Sequence, residues 1–538
     1  MKNLSVLGCL FLFCFKSSFS QPTKEMRPKL VVGLVIDQMR WDYLYRYYDR
    51  YSDKGFKRLL NEGFSYDNAF INYANSVTAA GHASLYTGAT PSLHGIVGNE
   101  WIDRKTGLYN YCVSDKSVSP VGGSAKAGMM SPKNLLATTI GDELRIATNF
   151  RSRVFGIAAK DRGSILPAGR SAEDVYWFDD STGNFISSSY YMKTLPHWAI
   201  SFNKRKIADS LILQKWNLLY PAETYIQSTP DNMDFEYLKD GEPTFPHIID
   251  IKSKSRFAAF RYTPAVNTLA FEYAKNLLIS ENAGRMQTDM LCLSISGTDY
   301  IGHAYGPSSI EAEDAYLRLD RDIAEFLNFL DEQYGKENYL FFLSADHGTP
   351  QIPSFLKSKK IHAGNNNNYA LVSELNNELN LKFHHKKIIK AYFDFQFFVD
   401  ENLIDSLSLP KHDIYSFIKN YLKNIPGVSD AFDHDSIYTL NYPVAIKEMF
   451  NNSYYRQRSG TIKIIMEPQF TDYKEKGTEH GTIYNYDTHI PLMFFGKNIP
   501  AGSSSKRVFI TDLAPTICSL LKIQVPNASF GKVLQFEK

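Results

Sequence analysis

Short apolar runs that each end in charged residues constrain the fold of this chain more than any other feature of its sequence. The runs have the length and residue types of buried parallel strands, and they cover residues 30–36, 154–159, 290–295, 339–343 and 490–495. Helical segments lie between them: Ser131-Pro132 is a good start for a helix reaching about residue 148, and apolar residues recur every three or four positions over about 309–330. This alternation predicts an α/β fold with a mainly parallel central sheet flanked by helices.

The residues that follow four of these runs have side chains suited to chemistry. In an open α/β sheet, ligands bind beyond the carboxyl ends of the strands. Those ends are followed by Asp37, by Lys160-Asp161-Arg162, by Ser296-Gly297-Thr298-Asp299 and by Ser344-Ala345-Asp346-His347-Gly348. Carboxylates crowded at one edge of a sheet repel each other, so we expect a cation among them.

Two of these segments pair aspartate with histidine. Asp299 and His303 are four positions apart, so one turn of chain can bring both side chains to one ion, and Asp346-His347 supplies a second pair. Mixed Asp and His ligands without a thiolate favour zinc over manganese or iron, and they disfavour calcium and magnesium. The pattern predicts two metal sites.

One more histidine ligand is needed, and two candidates precede the last apolar run. We predict His480, because it lies in a glycine-containing loop that can reach over the sheet edge. His489 directly precedes the run at the opposite edge, so we predict a supporting or structural role for it. His82, His94 and His362 also fall in predicted loops, where an ordinary polar role is expected.

A candidate nucleophile lies in the segment 72–88. Here a polar turn opens at Thr78 into small residues that suit a helix. A hydroxyl at a helix N-terminus lies beside free backbone N–H groups and the positive end of the helix dipole, which favours an alkoxide or a bound phosphoryl group. By itself the pattern is weak, because threonine is a common N-cap.

Taken together, these motifs resemble the alkaline phosphatase superfamily, and within it the exported alkaline phosphatases of the PafA type, which use a threonine nucleophile. The resemblance extends to residues 511–517, which look like the closing helix of that superfamily. It implies an alkaline-phosphatase-like domain with two Zn²⁺ ions per chain. The implied ligands are Asp37, Thr78, Asp346 and His347 for one zinc, and Asp299, His303 and His480 for the other, while Asn99, Lys160 and Arg162 hold phosphate oxygens.

The implied activity is hydrolysis of phosphate monoesters through a phospho-threonine intermediate on Thr78. Backbone N–H groups near Ala79 are expected to assist in holding the nonbridging oxygens. The alternative is a phosphodiesterase or nucleotide pyrophosphatase on the same two-metal core. We favour the monoesterase, because two cations, Lys160 and Arg162, suit a dianionic phosphate better than a diester.

Other classes fit less well. A sulfatase needs a Cys/Ser-x-Pro-x-Arg segment, which is lacking at Ser76-Val77-Thr78-Ala79-Ala80. A phosphoglycerate-mutase-like isomerase is disfavoured by the predicted export signal in residues 1–20. A binding protein with structural zinc is disfavoured because such sites are usually rich in cysteine. Lys+Arg 59 against Asp+Glu 57 gives a net charge of +2, so no nucleic-acid partner is expected. The expected partners are small phosphate monoesters, and a monomer is favoured.

The N-terminus predicts export to the periplasm or the medium. Lys2 precedes the apolar run 4–15, and small residues up to Ser20 suit cleavage there, so residues 1–20 form the predicted signal peptide. Twelve apolar residues are too few to span a bilayer. The alternatives are a short membrane anchor and a lipoprotein modified at Cys9, but too little apolar sequence precedes that cysteine.

The mature chain, 21–538, is predicted to form a single catalytic domain. The segment about 165–286 is too long for a loop and is predicted to be an inserted cap over the site, and a second insertion is predicted at about 353–470. Three cysteines remain after cleavage, too few and too far apart for a disulfide framework. Cys292 and Cys518 are predicted core residues.

Overall fold

A computed structural model describes residues 27–237, 244–472 and 476–537. The predicted signal peptide and Cys9 lie outside these residues. A ten-stranded sheet forms the centre of the molecule, and its strands in spatial order are Gly502–Ser504, Phe64–Tyr66, Leu492–Gly496, Tyr339–Ser344, Leu30–Ile36, Asp289–Ile295, Val154–Ala158, Asp174–Asp179, Asn184–Ser188 and Pro120–Val121. The five strands from Tyr339–Ser344 to Asp174–Asp179 are mutually parallel. The predicted α/β fold with a mainly parallel core is confirmed.

The central strand, Leu30–Ile36, is buried along its whole length. Gly33 is required in it, because a Cβ atom there would lie 2.3 Å from the ring of Phe342 and 2.4 Å from the hydroxyl of Tyr86. The ring of Phe342 on the adjacent strand and the hydroxyl of Tyr86 in the helix Thr78–Thr87 therefore lie directly against the backbone of this strand. The predicted burial of Cys292 and Cys518 is confirmed, since both are buried free thiols.

The last apolar run differs from the prediction. The strand Leu492–Gly496 runs antiparallel to Tyr339–Ser344, and His489–Ile490 belongs to a separate small sheet with Ala69–Phe70 and Val508–Phe509. Pro491 lies between the two strands and has no N–H to donate to a ladder. Apolar composition indicates burial, whereas strand direction depends on how the connecting chain returns to the sheet.

Helices flank the central sheet, and further helices belong to the second predicted insertion. Those of eight residues or more are Thr78–Thr87, Ile140–Ala147, Asp161–Ala168, His197–Lys204, Ala265–Ser280, Gly297–Tyr305, Ile310–Tyr334, Asn368–Phe383, Lys411–Lys423, Val444–Ser453 and Leu513–Leu521. The helix predicted from residue 131 to about 148 begins only at Ile140, because Thr139 and Asp142 form a capping box there. The helix predicted over about 309–330 spans Ile310–Tyr334, with Ser309 as its N-cap.

The second predicted insertion forms a lobe with its own core. Its four-stranded antiparallel sheet consists of Ile389–Phe393, Gln396–Val399, Ile462–Met466 and Val428–Asp433. Side chains from the helices Asn368–Phe383 and Lys411–Lys423 pack with this sheet in a hydrophobic cluster separate from the central one. The segment about 165–286 instead contributes the strands Asp174–Asp179 and Asn184–Ser188 to the central sheet. The domain division, and the cap role of that segment, stay predictions.

Among the described residues, the helices are all too short or too polar to cross a membrane.

Candidate active site at the carboxyl edge of the sheet

Three predicted ligands converge where two adjacent parallel strands end. Asp37 follows Leu30–Ile36, and Asp346 and His347 follow Tyr339–Ser344. His347 Nε2 lies 3.5 Å from Asp37 Oδ1 and 3.5 Å from Asp346 Oδ2. All three side chains are fully buried, and their ligand atoms lie close enough together to hold one ion.

A second group forms beside the next strand, Asp289–Ile295. The helix Gly297–Tyr305 begins just after it and carries Asp299 and His303 on one turn, with His303 Nε2 3.3 Å from Asp299 Oδ1. His480 reaches the same carboxylate from its loop, with Nε2 3.6 Å from Asp299 Oδ1. The structure thus brings together the three residues predicted for the second metal.

His489 lies elsewhere. Its Nε2 is 2.9 Å from the carbonyl oxygen of Asp67, and its ring stacks on those of Trp41 and Phe70. The reason for predicting a supporting role was wrong, because Leu492 pairs with Ser344 and the chain before it therefore lies at the carboxyl edge of the parallel strands. The supporting role itself stays a prediction.

The donor atoms of the two groups fit divalent cations. In each of the three histidines, Nδ1 contacts a backbone carbonyl oxygen: Gly348 at 2.9 Å from His347, Thr478 at 2.7 Å from His303, and Ser76 at 2.9 Å from His480. These contacts favour Nδ1–H as the donor and direct the lone pair of Nε2 into the site. Burial lowers the pKa of His347 and of His480, which keeps both imidazoles in the neutral form that binds metals.

Lys160 lies between the two groups. Its Nζ is 2.7 Å from Asp37 Oδ2 and 2.6 Å from Asp299 Oδ2. Burial opposes its positive charge, but the attraction of Asp299 and Asp37 outweighs burial and raises the pKa of Lys160 above its ordinary value. The ammonium group is therefore charged and is held by one carboxylate of each group.

Thr78 is the first residue of the helix Thr78–Thr87 and is buried. Its Oγ1 lies 3.5 Å from His347 Nε2 and 3.4 Å from Lys160 Nζ. The expectation for the backbone near Ala79 needs correction, because the N–H of Ala79 donates to Asn99 Oδ1 at 3.0 Å. This hydrogen bond uses the side-chain oxygen of Asn99, so its amide nitrogen is the atom that can donate to a ligand.

A cavity of about 340 Å³ opens over Thr78. Its lining residues are Val77, Thr78, Asn99, Glu100, Tyr111, Arg162, Asp299, His303, Tyr369, Phe393, Asp394, Asp472, Glu479 and His480. The predicted phosphate-binding residues Asn99 and Arg162 are among them. Arg162 Nη1 donates to the hydroxyl of Tyr111 at 3.2 Å, and that hydroxyl donates to Asp161.

Two residues of the site escaped the sequence analysis. Gln38 links the two groups, because its N–H donates to Asp346 Oδ1 at 3.1 Å and its side-chain amide donates to Asp299 Oδ1 at 2.7 Å. His82, which we predicted in a polar loop, is a buried helical residue with Nδ1 3.1 Å from Asp346 Oδ2. His94 is likewise buried, at the end of a short helix, whereas His362 is exposed.

The family follows from comparison with known proteins. The family model described as type I phosphodiesterase / nucleotide pyrophosphatase matches residues 31–489, which is most of the chain. The chain belongs to this family. The family is part of the alkaline phosphatase superfamily, so the predicted superfamily is confirmed.

Several known proteins are similar to the chain along nearly its whole length. A Myroides odoratus protein named "Calcium-transporting ATPase" is 45% identical over 99% of this chain and 98% of that protein. The alkaline phosphatase PafA of Elizabethkingia meningoseptica is 44% identical over 94% of each. A crystal structure of wild-type PafA matches with a TM-score of 0.92, covering 95% of this chain and 99% of that one. The predicted fold and the predicted similarity to alkaline phosphatases of the PafA type are confirmed.

Proposed function

We propose that this chain is an exported alkaline phosphatase that hydrolyses phosphate monoesters, with Thr78 as its nucleophile and two zinc ions as its cofactors. The observation that carries the proposal is the placement of a buried hydroxyl at a helix N-terminus beside two Asp/His groups. The kinship with PafA supports the reaction class. Export is proposed from the N-terminal signal sequence alone.

The two groups are proposed to hold one ion each. Asp37, Asp346 and His347, with Thr78 beside them, hold the first, and Asp299, His303 and His480 hold the second. Bound divalent cations supply positive charge that favours the alkoxide of Thr78 and stabilises the departing oxygen. The donor set, with three imidazoles and no thiolate, favours zinc.

The proposed reaction has two displacements at phosphorus. In the first, Thr78 Oγ1 loses its proton to solvent and forms a bond to phosphorus as the bond to the leaving oxygen breaks. The leaving oxygen takes up a proton from solvent, which gives phospho-threonine and an alcohol. In the second, water attacks that phosphorus and the bond to Thr78 Oγ1 breaks, which releases inorganic phosphate. Lys160 Nζ, 3.4 Å from Thr78 Oγ1, stabilises negative charge on this oxygen in both steps.

Asn99, Lys160 and Arg162 are proposed to bind the nonbridging oxygens. In phosphoryl transfer the charge of the transition state is spread over these oxygens. A monoester offers three of them with two negative charges, which match the ammonium and guanidinium groups. A diester has one of these oxygens esterified and carries one charge, so it gains less from the same donors.

The second candidate function is a phosphodiesterase or nucleotide pyrophosphatase. The description of the matching family favours it. Both candidates need the same two metals and the same nucleophile, so only substrate preference separates them.

The deciding experiment compares hydrolysis of p-nitrophenyl phosphate with that of bis-p-nitrophenyl phosphate on zinc-loaded enzyme at alkaline pH. ATP is included, because one relative is named as an ATPase. We expect a strong preference for p-nitrophenyl phosphate, loss of turnover after chelation, and recovery with Zn²⁺. An acid-quenched sample analysed by mass spectrometry is expected to carry phosphate on Thr78.

Variants show which residues carry the preference. We expect Arg162→Ala to lower kcat/KM for the monoester by about 10²-fold or more and for the diester by less. Tyr111→Phe is the matched control, because it removes only the hydroxyl that contacts Arg162 and leaves the charge. A preference for bis-p-nitrophenyl phosphate would select the phosphodiesterase, and phosphate on another residue would refute the role of Thr78.

A further inference from the structure

A second cluster of metal-ligand side chains lies outside the active site. Ligand atoms of Asp231, His247 and Glu311 all lie within 4.8 Å of one another. His247 Nε2 is 3.1 Å from Glu311 Oε1. His247 and Glu311 are buried and Asp231 is partly buried.

A fourth residue, Glu236, interacts electrostatically with Glu311 and Asp231 of this cluster and has unsatisfied acceptors. Only 2% of Glu236 is exposed, and both of its carboxyl oxygens are buried without a hydrogen-bond partner among the described residues. Glu311 is fully buried, and its Oε2 likewise lacks a partner in the described part of the chain. Buried carboxylate oxygens without donors are costly unless a cation or a proton neutralises them.

The electrostatic environment of Glu236 also indicates that a cation or a proton must neutralise its carboxylate. Burial, and then the neighbouring carboxylates of Glu311 and Asp231, raise the pKa of Glu236 to about 9. Lys476 lowers this pKa and is exposed. Within the described part of the chain, the positive charges near Glu236 therefore do not offset the burial and the like charges that raise its pKa.

We infer that Asp231, His247 and Glu311, with the carboxylate of Glu236 beside them, form a third metal site, which binds a divalent transition cation, zinc or manganese. Three carboxylates and one imidazole match the ligand preferences of these ions, while the imidazole disfavours calcium and magnesium. A bound cation replaces the protons that these carboxyls would otherwise hold. The site is separate from the two groups around Thr78.

The position of the site gives it a structural role. Glu311 lies in the first turn of Ile310–Tyr334, and the ring of His247 packs on Tyr305, the last residue of Gly297–Tyr305. That second helix carries Asp299 and His303. A cation at this third site therefore connects the segment that contains Asp231 and Glu236 to the helix Gly297–Tyr305, which carries Asp299 and His303.

Backbone hydrogen bonds extend this connection. The N–H of Tyr237 donates to the carbonyl oxygen of Ala304 at 2.8 Å, and the N–H of Gly477 donates to that of Phe235 at 2.8 Å. The N–H of Thr478 in turn donates to His303 at 3.0 Å. Loss of the third cation is expected to loosen this region and to lower the melting temperature.

The first test is direct detection on the full-length enzyme. Crystals measured on both sides of the zinc and manganese absorption edges are expected to show an anomalous peak bounded by Asp231, His247 and Glu311, and the edge identifies the metal. Elemental analysis after gel filtration is expected to give three metal equivalents per chain. Absence of the peak from crystals grown with both metals overturns the inference.

Variants separate this site from the catalytic metals. Asp231→Asn and Glu236→Gln are each expected to lose one equivalent and the anomalous peak, and to melt at a lower temperature. Asp234→Asn, an exposed carboxylate of the same segment, is the matched control and retains three equivalents. His480→Ala is expected to disturb the active-site metals while the third peak remains.

A different result is expected if protons, and not a cation, neutralise these carboxyls. If the carboxyls are simply protonated, the wild type lacks the third peak, and Glu236→Gln melts at the same or a higher temperature, because a neutral amide replaces a neutral acid of the same shape. That outcome overturns the third site and leaves the proposed phosphatase untouched.

Discussion

At the scale of single residues, the site depends on side chains that hold the candidate ligands in place. His82 is the most informative of these, because it lies one helical turn from Thr78 and contacts Asp346. Its Nδ1 also lies 2.9 Å from the carbonyl oxygen of Thr78, and its Nε2 lies 2.8 Å from Ser294 Oγ. Both ring nitrogens are thus engaged, which fixes the ring against the carboxylate.

We therefore expect His82→Gln to weaken the first metal site. Supporting residues of this kind typically contribute about 10–100-fold to metal affinity. The measurement is zinc content after dialysis against graded chelator concentrations. His94→Gln is the control, because His94 is also buried but bonds to Ser84 at 3.0 Å; equal zinc retention in the two variants would contradict the role of His82.

At the scale of elements, the sequence predicts which strands deliver ligands but not how the site is joined across the sheet. Apolar runs followed by Asp37, Asp299 and Asp346 could be recognised because strand burial and strand ends are local features. Gln38 could not be recognised, since its importance comes from hydrogen bonds to residues about 260 and 310 positions away. The antiparallel direction of Leu492–Gly496 was missed for the same reason.

The close packing of the helix Thr78–Thr87 on the strand end gives an element-scale prediction. A Cβ atom at Gly81 would lie 2.3 Å from the carbonyl oxygen of Asp346 and 2.6 Å from its Cβ. We expect Gly81→Ala to push the helix outward, to destabilise the fold by about 1–3 kcal/mol, and to lower kcat/KM by about 10²-fold. The melting temperature and p-nitrophenyl phosphate turnover measure these effects.

Gly163→Ala is the control for this prediction. It is also a helical glycine, but its added Cβ would meet side-chain atoms at 3.1 Å or more. Both variants gain the same helix propensity, about 1 kcal/mol. If the two variants retain the same activity, the close approach at Asp346 is not what positions Thr78.

At the scale of the whole molecule, two lobes build the cavity. The candidate ligands come from segments that follow strands of the central sheet and from the loop of His480. Tyr369, Phe393 and Asp394 come from the lobe with the separate antiparallel sheet. The sequence marked this lobe only as an insertion, because its packing over the site arises from contacts distant in the chain. Besides the candidate ligand Asp299, four carboxyl-bearing residues line the cavity: Glu100, Asp394, Asp472 and Glu479.

This acidic wall is expected to discriminate against leaving groups that carry negative charge. We predict that Glu100→Gln raises kcat/KM for 4-carboxyphenyl phosphate relative to phenyl phosphate by several-fold, because one like-charge repulsion is removed. The gain is expected to shrink in about 1 M salt, where the Debye length is about 3 Å. The control is Glu467→Gln. Glu467 pairs with His362 and does not line the cavity, so this variant is expected to leave the ratio of the two kcat/KM values unchanged. An unchanged ratio in Glu100→Gln would contradict the prediction.

The stability of the whole molecule is expected to depend on pH through Asp487. This side chain is fully buried, and its Oδ2 accepts hydrogen bonds from the N–H of Gly481 and from the N–H and hydroxyl of Thr482. It thereby holds the loop that presents His480. Burial raises the pKa of Asp487 to about 7, whereas an aspartate in the unfolded chain has a pKa of about 3.9.

Because the folded-state pKa is the higher one, the stabilising contribution is complete below pH about 4 and is lost as the pH rises through about 7. We expect the free energy of unfolding to fall by about 2.5 kcal/mol between pH 5 and pH 7.5 from this group. Asp487→Asn keeps an acceptor for the loop but cannot ionise, so its stability is expected to lack this component. Urea unfolding of both proteins at matched zinc content, followed by tryptophan fluorescence, measures the difference. Parallel pH curves for the two proteins would show that Asp487 is already ionised in the folded state at pH 5.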